Sequence, residues 1–413
     1  MNPERTLLLV GHPAEAVRTA KSLGLDVIHL QHRSKLRLGQ DELADVMFLV
    51  DYPDWAVSGP LAETAHAVWG FTQAISLTDP GVEIAGRIND IYGLGGTGYE
   101  VSHRFKSKWA MRKHLMERGF PTAAAELVTG PDSLREFAAK HGYPFVVKPV
   151  DMAGGIGVRV AQGSADLDDV WRNIARLRGD GIDRGPAALF TVGDFIMEEY
   201  LDGPEFSVEA FSFAGRHVVI AVTEKLVSGA NFVEMGHIVP ARIDSDVERT
   251  IADATVAFLN TIELRDGPSH TEIRVGRNGP RVIESHNRAG GDHIRDLVKA
   301  VYGFDFLEYA VGWPFRLVPE LTGRPAANGG ACVRFVPPRP GMAEAAPRLA
   351  ALLDRPDVLV AEGNPKADEP LAELRDNFDR AGLVAASGPA SETALKLCEE
   401  LIEGCFEGGG RQP

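Results

Sequence analysis

The sequence predicts a mixed α/β (α+β) protein, with a parallel α/β sheet at the N-terminal end and antiparallel strand pairs further on. Three observations predict it. Short apolar runs at 6–10, 26–30 and 46–50 alternate with helix-like stretches, the spacing of parallel strands joined by crossovers. A strand–loop–strand pattern follows at 145–160, with glycines at 154, 155 and 157 in the loop. A third pattern, 270–286, reads as two short strands around a turn: Ile273 and Val275 alternate with Glu272 and Arg274, and Asn278-Gly279 is a turn dipeptide. Pro280 is expected to stop ladder pairing at that point.

In chain order, Gly11-His12-Pro13 turns into an Ala-rich helix that ends near Gly24. This first turn holds a single glycine, so it is no dinucleotide fingerprint. A literal GxGxxG occurs at 93–98. Residues 87–92 before it are too polar for a central strand, so the motif reads as a flexible loop. Residues 107–119 read as a helix stopped by Gly119 and Pro121. Ser133 and Glu136 form a capping-box pattern for a second helix, which ends at Gly142. Leu167, Val170, Trp171 and Ile174 mark an amphipathic helix, and 178–194 a polar loop. Strands are expected at 195–201, 206–211 and 218–222, and a helix opened by Ser245 and Glu248. A boundary is expected at 316–330, then strands at 331–336 and 383–386, a helix over about 391–404 and a frayed Gly-Gly-Gly-Arg-Gln-Pro tail.

Composition narrows the function. A length of 413 residues accommodates roughly two or three domains. Net charge is −15, which argues against nucleic acid or an acidic membrane as partner, since both require a basic face. No apolar run approaches membrane-spanning length, and Met1–Arg5 lacks the order of a signal peptide. The expectation is a cytoplasmic protein acting on small molecules. Three sparse cysteines fit reduced thiols, and Cys398 and Cys405, seven apart on a helical pattern, read as core packing. HExxH and GxSxG are absent, so zinc protease and serine hydrolase readings have no anchor.

The chemistry gathers at charged residues on apolar strands. Antiparallel pairing of 270–275 with 281–286 can bring Glu272 and Glu284 together, and adjacent carboxylates repel unless a proton or cation lies between them. Hard cations such as Mg²⁺ prefer those oxygens and share them with phosphates. Arg288 follows four residues later, beside Gly290 and Gly291, which let backbone approach a ligand. Lys148 interrupts the strand Phe145–Val150: it either snorkels to solvent or is held for an anion, and the adjacent Gly-rich loop favours the anion. The chain contains no Gly-Lys dipeptide, so no Walker motif exists. Glu198, Glu199 and Glu205 read as a solvated acidic edge or as part of the site. Glu234 and His237 are either outward residues of a strand or part of an acceptor-substrate pocket. His270 fits a hydrogen bond within a turn, and His293 packing beside Gly291.

The order of these parts resembles the ATP-grasp superfamily. The signals are Lys108 on a helix, Lys148-Pro149, the loop to Gly157, the stretch Glu198–Val208, and the paired Glu272 and Glu284 with Arg288. The resemblance is strongest over about 105–310. It implies an ATP-grasp fold with an N-terminal parallel α/β domain at 1–105, an ATP-grasp domain at 106–315 with a lid subdomain at about 122–200, and a C-terminal α+β subdomain at 325–413 like that of the amino-acid ligase branch. It implies that Lys108 and Lys148 contact the phosphates of ATP under Gly154, Gly155 and Gly157. Backbone at Glu199, Tyr200 and Leu201 would read adenine, Glu198 would bond its amine, and Glu205 would hold the ribose. Glu272 and Glu284 would hold Mg²⁺, with Mn²⁺ an alternative. Arg288 would bind the carboxylate substrate and its phosphorylated form, with Glu234, Gly290 and Gly291 lining the substrate pocket. One departure stands out. The family has Glu-x-Asn-x-Arg where this chain has Glu284-Ser285-His286-Asn287-Arg288, so the third metal ligand is Asn287 after a local shift, His286, or water. The implied activity is an ATP-dependent carboxylate–amine ligase, most like the dipeptide-forming L-amino-acid ligases. Activation of formate or bicarbonate, or a non-catalytic nucleotide sensor, are the alternatives. The resemblance leaves a homodimer open.

Overall fold

The computed structural model describes residues 1–11, 13–37, 39–180, 189, 192–228 and 231–407. The chain opens with β1 (Thr6–Val10), α1 (Ala14–Ser22), β2 (Asp26–Gln31), β3 (Val46–Leu49), α2 (Trp55–Trp69) and β4 (Gln73–Ile75). These strands form a parallel sheet in the order β3-β2-β1-β4. Every residue of β1 is buried, the mark of a strand covered on both faces. Leu7 and Leu9 pack with Val17 and Ala20 of α1, while Leu8 and Val10 pack with Ala62 and Ala65 of α2 and with Ile84 and Ile88.

Those isoleucines belong to α3 (Val82–Tyr92), followed by α4 (Tyr99–Lys106) and α5 (Lys108–Glu117). The polar run at 87–92 is therefore the end of a helix. Gly93 caps it at φ 61° and Gly98 begins α4, so the GxGxxG follows a helix and has no preceding strand. Asn89, buried in the last turns of α3, donates to the carbonyls of Ala74 and Thr97 and pins the linker.

A separate module comes next: β5 (Ala125–Leu127), α6 (Pro131–His141), β6 (Phe145–Pro149), β7 (Arg159–Ala161), α7 (Leu167–Asp180) and β8 (Phe195–Glu199). Its antiparallel sheet runs β5-β8-β6-β7, and its helices close a core of its own around Leu134, Phe137, Phe145, Val147, Val170, Ile174 and Met197. Helix α6 starts two residues before the expected Ser133 cap. Pro131 takes its first position, where no N–H is needed, and the Ser133 hydroxyl sits a turn inside, donating to the Gly130 carbonyl. The loop expected at 178–194 begins later than expected, because α7 continues to Asp180. Residues 181–188 and 190–191 of that loop, and the tail 408–413, lie outside the described residues.

The remainder is one eight-stranded sheet. It contains β9 (Glu205–Phe213), β10 (Arg216–Ser228), β11 (Val233–Val239), β12 (Gly267–Gly276), β13 (Gly279–His286), β14 (Gly330–Val336), β15 (Val358–Gly363) and β16 (Gly382–Gly388). The order is β13-β12-β9-β10-β11-β14-β16-β15. Helices α8 (Ser245–Thr261), α9 (Ile294–Tyr302), α10 (Phe306–Gly312), α11 (Met342–Ala351) and α12 (Ser391–Glu407) cover it. The segment 316–330 is irregular, yet it does not separate two sheets, because β14 pairs directly with β11. Pro280 does not stop pairing either: it lies opposite Val275. β13 is the edge strand, where a missing N–H is tolerated. Cys332, Cys398 and Cys405 are buried in one core cluster, as packing residues. Among the described residues, no helix is long and apolar enough to cross a membrane.

The module of β5–β8 joins this sheet through a turn at Gly203. Its φ is 94°, and a Cβ there would strike the Val275 carbonyl oxygen and lie 3.0 Å from Gly276 Cα. Gly203→Ala is therefore expected to cost roughly 1–3 kcal/mol from backbone strain, before any added cost from the clash. A urea midpoint indistinguishable from that of the parent would refute this.

Candidate functional site

The site is the polar face of the eight-stranded sheet. In β9 and β12, Phe206, Val208, Ala210 and Ile273 face a core with Ile251 and Phe258 of α8. Period-2 alternation then sends Glu205, Ser207, Glu209, His270, Glu272 and Arg274 to the opposite face. Register aligns them: Glu205 lies opposite Arg274, Ser207 opposite Glu272, and Glu209 opposite His270. With Lys225, Glu234 and His237 from β10 and β11, most of these side chains line a cavity of about 230 Å³, roofed by Lys148 and residues 152–156.

The β12–β13 pair places Glu272 opposite Glu284, as the sequence predicts, but it does so through a bulge. Ile273 pairs with Val282 and Glu272 with Glu284, so Ile283 is the extra residue. A bulge reverses the facing of the residues beyond it. Val282 thus joins the core while Glu284 joins the cavity. Arg112 of α5, fully buried, holds this distortion. Its Nη1 and Nη2 donate to the carbonyls of Val282 (2.8 Å) and Ile283 (2.7 Å), and its Nε donates to Glu198 (2.7 Å).

Each hairpin carboxylate has its own cation. Lys108 Nζ is 2.8 Å from Glu284 and donates to the Met152 carbonyl at 2.6 Å. Lys225 Nζ lies 2.8 Å from Glu272, 2.9 Å from Glu205 and 2.7 Å from Glu234. Burial alone would raise the Glu284 pKa, but Lys108 and His286 hold it well below the usual range. Burial likewise works against Glu272, which Lys225 lowers and the neighbouring Glu284 raises. Behind Glu272, His270 bonds Glu209 at 2.7 Å, and against the opposing effect of burial this carboxylate lifts the imidazole pKa to about 10. His270 thus presents a cationic edge 3.4 Å from Glu272.

Other residues sit differently from expectation. Glu198, expected at the adenine amine, lines the cavity and is bound by Arg112 at Oε1 and by Lys148 at Oε2, 2.6 Å away. Its carboxylate instead joins α5 to the roof strands. Asn287 points away from the hairpin carboxylates: its amide donates to the Ser102 hydroxyl at 3.3 Å, facing a smaller cavity of about 70 Å³. His286 lines the main cavity instead, between Asp79 (3.0 Å) and Glu284 (3.5 Å), since alternation after Glu284 turns residue 286 inward and 287 outward. Glu199 and Leu201 line the cavity, whereas Tyr200 does not; it lies beside the Arg274 guanidinium, 5.5 Å away. Arg274 also binds Glu205 and the Leu201 carbonyl. Gly154 and Gly155 line the roof. Gly157 backs onto Leu177 and Pro149, and Gly290 onto His270 and Glu209, where a Cβ would come within 3.0 Å of both. Gly291 reaches the cavity.

Arg288 lines the cavity with its side edge bound by Asp79: Nε and Nη2 each lie 2.7 Å from a carboxylate oxygen, and Nη1 donates to Ala289. A guanidinium carries five N–H donors, so these three bonds leave one free on each terminal nitrogen. Sequence reasoning did not single out Asp79, Arg112, Lys225, Asp292 or Arg380. Lys225 carried one signal, a cation late in a largely apolar strand, of the same kind as Lys148.

Residues 141–296 match the family model described as an ATP-grasp domain, and residues 334–404 match L-amino acid ligase C-terminal domain 2. The crystal structure of an L-amino acid ligase from Bacillus licheniformis superimposes with a TM-score of 0.79 over 97% of both chains at 19% identity. Alanine–anticapsin ligase of Bacillus subtilis (strain 168) is 26% identical over 230 residues, 52% of this chain and 48% of the relative. Carnosine synthase 1 of Gallus gallus is 30% identical over 189 residues, 45% of this chain and 20% of the relative. The matched stretch thus spans less than half the length of either curated relative. The architecture and these matches define a protein of ATP-grasp fold. Residues 141–296 thus carry an ATP-grasp domain, and residues 334–404 the C-terminal domain type of L-amino acid ligases.

Removing Arg112 strips the bulge carbonyls of their donor and leaves Glu198 with Lys148 alone. Arg112→Ala is expected to lose about 3–5 kcal/mol, the range for breaking a buried ion pair, measured by chemical denaturation. A loss below about 1 kcal/mol would show that the bulge holds without it.

Proposed function

We infer that the chain is an ATP-dependent carboxylate–amine ligase that activates an amino acid's carboxylate as an acyl phosphate and passes the acyl group to an amine. The observation that carries this reading is the convergence of Glu272, Glu284, Lys108, Lys148 and Arg288 on one cavity beneath a glycine-rich roof. Of the proteins named above, two are amino-acid ligases by name and one is a synthase. In the reaction, a carboxylate oxygen attacks the γ-phosphorus of ATP and ADP leaves. The amine nitrogen then attacks the acyl carbon, phosphate leaves, and the amine gives up a proton.

The chain's own groups suit each part. Lys108 and Lys148 are buried cations under the roof, placed to offset charge on a phosphoryl group in transfer. The two unused N–H groups of Arg288 suit a carboxylate and then its phosphorylated form. The donor set fits a hard divalent ion: Glu272 and Glu284 are half-buried, ionised and adjacent, and they would hold Mg²⁺ or Mn²⁺. Bound there, the ion would neutralise phosphate charge and polarise the γ-phosphoryl group. His286 stands beside them where the superfamily carries asparagine, and its imidazole is a softer donor. Glu199, Leu201 and Glu205 line the same cavity and would hold the adenosine end of ATP. Residues 152–156 close over the cavity, and a closed roof protects an acyl phosphate from water.

Phosphate release should be measured against pairs of amino acids, with a bicarbonate arm and a formate arm, and products weighed by mass spectrometry. The expected result is ADP, phosphate and an amide in equal amounts with at least one pair. Nucleotide binding without phosphate release from any mixture would replace the ligase with a sensor. Turnover with only bicarbonate or formate would replace the substrate class.

Arg288→Lys keeps the charge and loses the fork. Losing one charge-assisted hydrogen bond is worth roughly 1.5–3 kcal/mol, or about ten- to a hundredfold in ligation. Affinity for a nonhydrolysable ATP analogue should stay within about threefold of the parent. Parallel loss of nucleotide binding, measured by titration calorimetry, would move Arg288 to the nucleotide site.

A further inference from the structure

Segment 374–380 lies in the loop between β15 and β16, far along the chain from the hairpin and the roof, yet it touches both halves of the cavity. β11 pairs with β14 only from Gly236 onward, so Glu234 lies beyond the end of that ladder. Segment 374–380 takes the ladder's place. Asn377 Oδ1 accepts the Glu234 N–H at 3.0 Å, and Arg380 Nη1 donates to the Glu234 carbonyl at 3.0 Å. The backbone that aims the Glu234 carboxylate is thus held at both its N–H and its carbonyl by the C-terminal part of the chain.

Arg380 holds a second cavity residue. Its Nη1 and Nη2 bind the two Asp292 oxygens at 2.7 and 2.8 Å, its Nε donates to Asn377, and its guanidinium stacks 3.6 Å from the Phe335 ring centre. Asp292 sits at φ 51°, a left-handed conformation costly for a residue other than glycine. Asp292 and Glu234 each lie 3.3 Å from His237 Nε2. Four of the five guanidinium donors serve protein oxygens, so Arg380 organises this trio and has a single N–H to spare. The same segment reaches the roof: the Asn377 N–H donates to the Gly154 carbonyl at 3.1 Å, and Phe378 covers Gly154 so closely that a Cβ there would lie 2.8 Å from its ring.

We propose that segment 374–380 is the acceptor-side wall of the active site, in which Arg380 and Asn377 are positioning residues that aim Glu234, His237 and Asp292 at the incoming amine, while Phe378 docks the roof over the same pocket. This rests on the ligase reading above. It assigns amine selection to a segment outside the stretch matched as ATP-grasp and inside the stretch matched as the L-amino acid ligase C-terminal domain. The carboxylates accept the amine's hydrogens, and their direction depends on residues that never touch it.

The test uses the full chain with Arg380→Lys, Asn377→Ala and Phe378→Ala. Phe378 is partly exposed, so its variant keeps the fold available if the other two lose it. For each variant, KM is measured separately for ATP, donor and acceptor, together with phosphate released per amide formed. Arg380→Lys and Asn377→Ala are expected to raise the acceptor KM at least tenfold and leave the ATP KM within about twofold. Phe378→Ala is expected to raise phosphate per amide severalfold above one, as water reaches the acyl phosphate. Equal changes in all three KM values, or unchanged acceptor KM and stoichiometry, would overturn the proposal while the ligase reading stands. No amide from the unaltered protein with any pair would instead overturn the ligase reading, and this one with it.

Discussion

Two glutamates side by side in one cavity are the constraint around which this structure is arranged. Glu272 and Glu284 repel each other, and burial makes the repulsion stronger, since less water screens it. The fold answers with one cation from each side: Lys108 from α5 and Lys225 from β10. Removing a single partner from such a network leaves an uncompensated buried charge. That is a physical reason for the elements carrying these groups to pack in one arrangement only.

The bulge at Ile283 solves a related problem. Val282 is needed in the core and Glu284 in the cavity, yet in a regular strand residues two apart share a face. One extra residue separates them, and its cost is two carbonyls turned away from the ladder. Arg112 receives both and, through Glu198 and Lys148, connects the bulge to the roof strands. Roof and floor of the cavity therefore meet at a buried ion cluster, whereas the roof's apolar core is separate.

The cavity is also assembled from both ends of the chain. Asp79, from the loop after β4, holds Arg288 and His286. Arg380, from the loop before β16, holds Asp292. Both are distant in sequence from the central hairpin, and both end up beside it: α10 packs on α1, and β14 and β16 extend the hairpin's own sheet. The expected boundary at 316–330 marks a break in regular structure. The sheet crosses it because backbone pairing depends on which edges meet and not on where a linker falls.

The sequence by itself determined the three parallel strands at its start, the hairpin that carries Glu272 and Glu284, and the glycine-rich roof loop. These are local: alternation, turn dipeptides and glycine spacing act between residues near one another in the chain. It also placed Lys108, Lys148 and Arg288 in the order that marks the superfamily. Only the tertiary structure decided what those groups meet. A carboxylate looks the same in sequence whether it faces a ligand or a lysine, and Glu198 proved to face Arg112 and Lys148. His286 turned inward and Asn287 outward because strand alternation counts from Glu284, and the bulge, which sets that count, is held by an arginine about 170 residues away. Asp79 and Arg380 carry no local signal of their roles, since each matters through partners brought to it by folding.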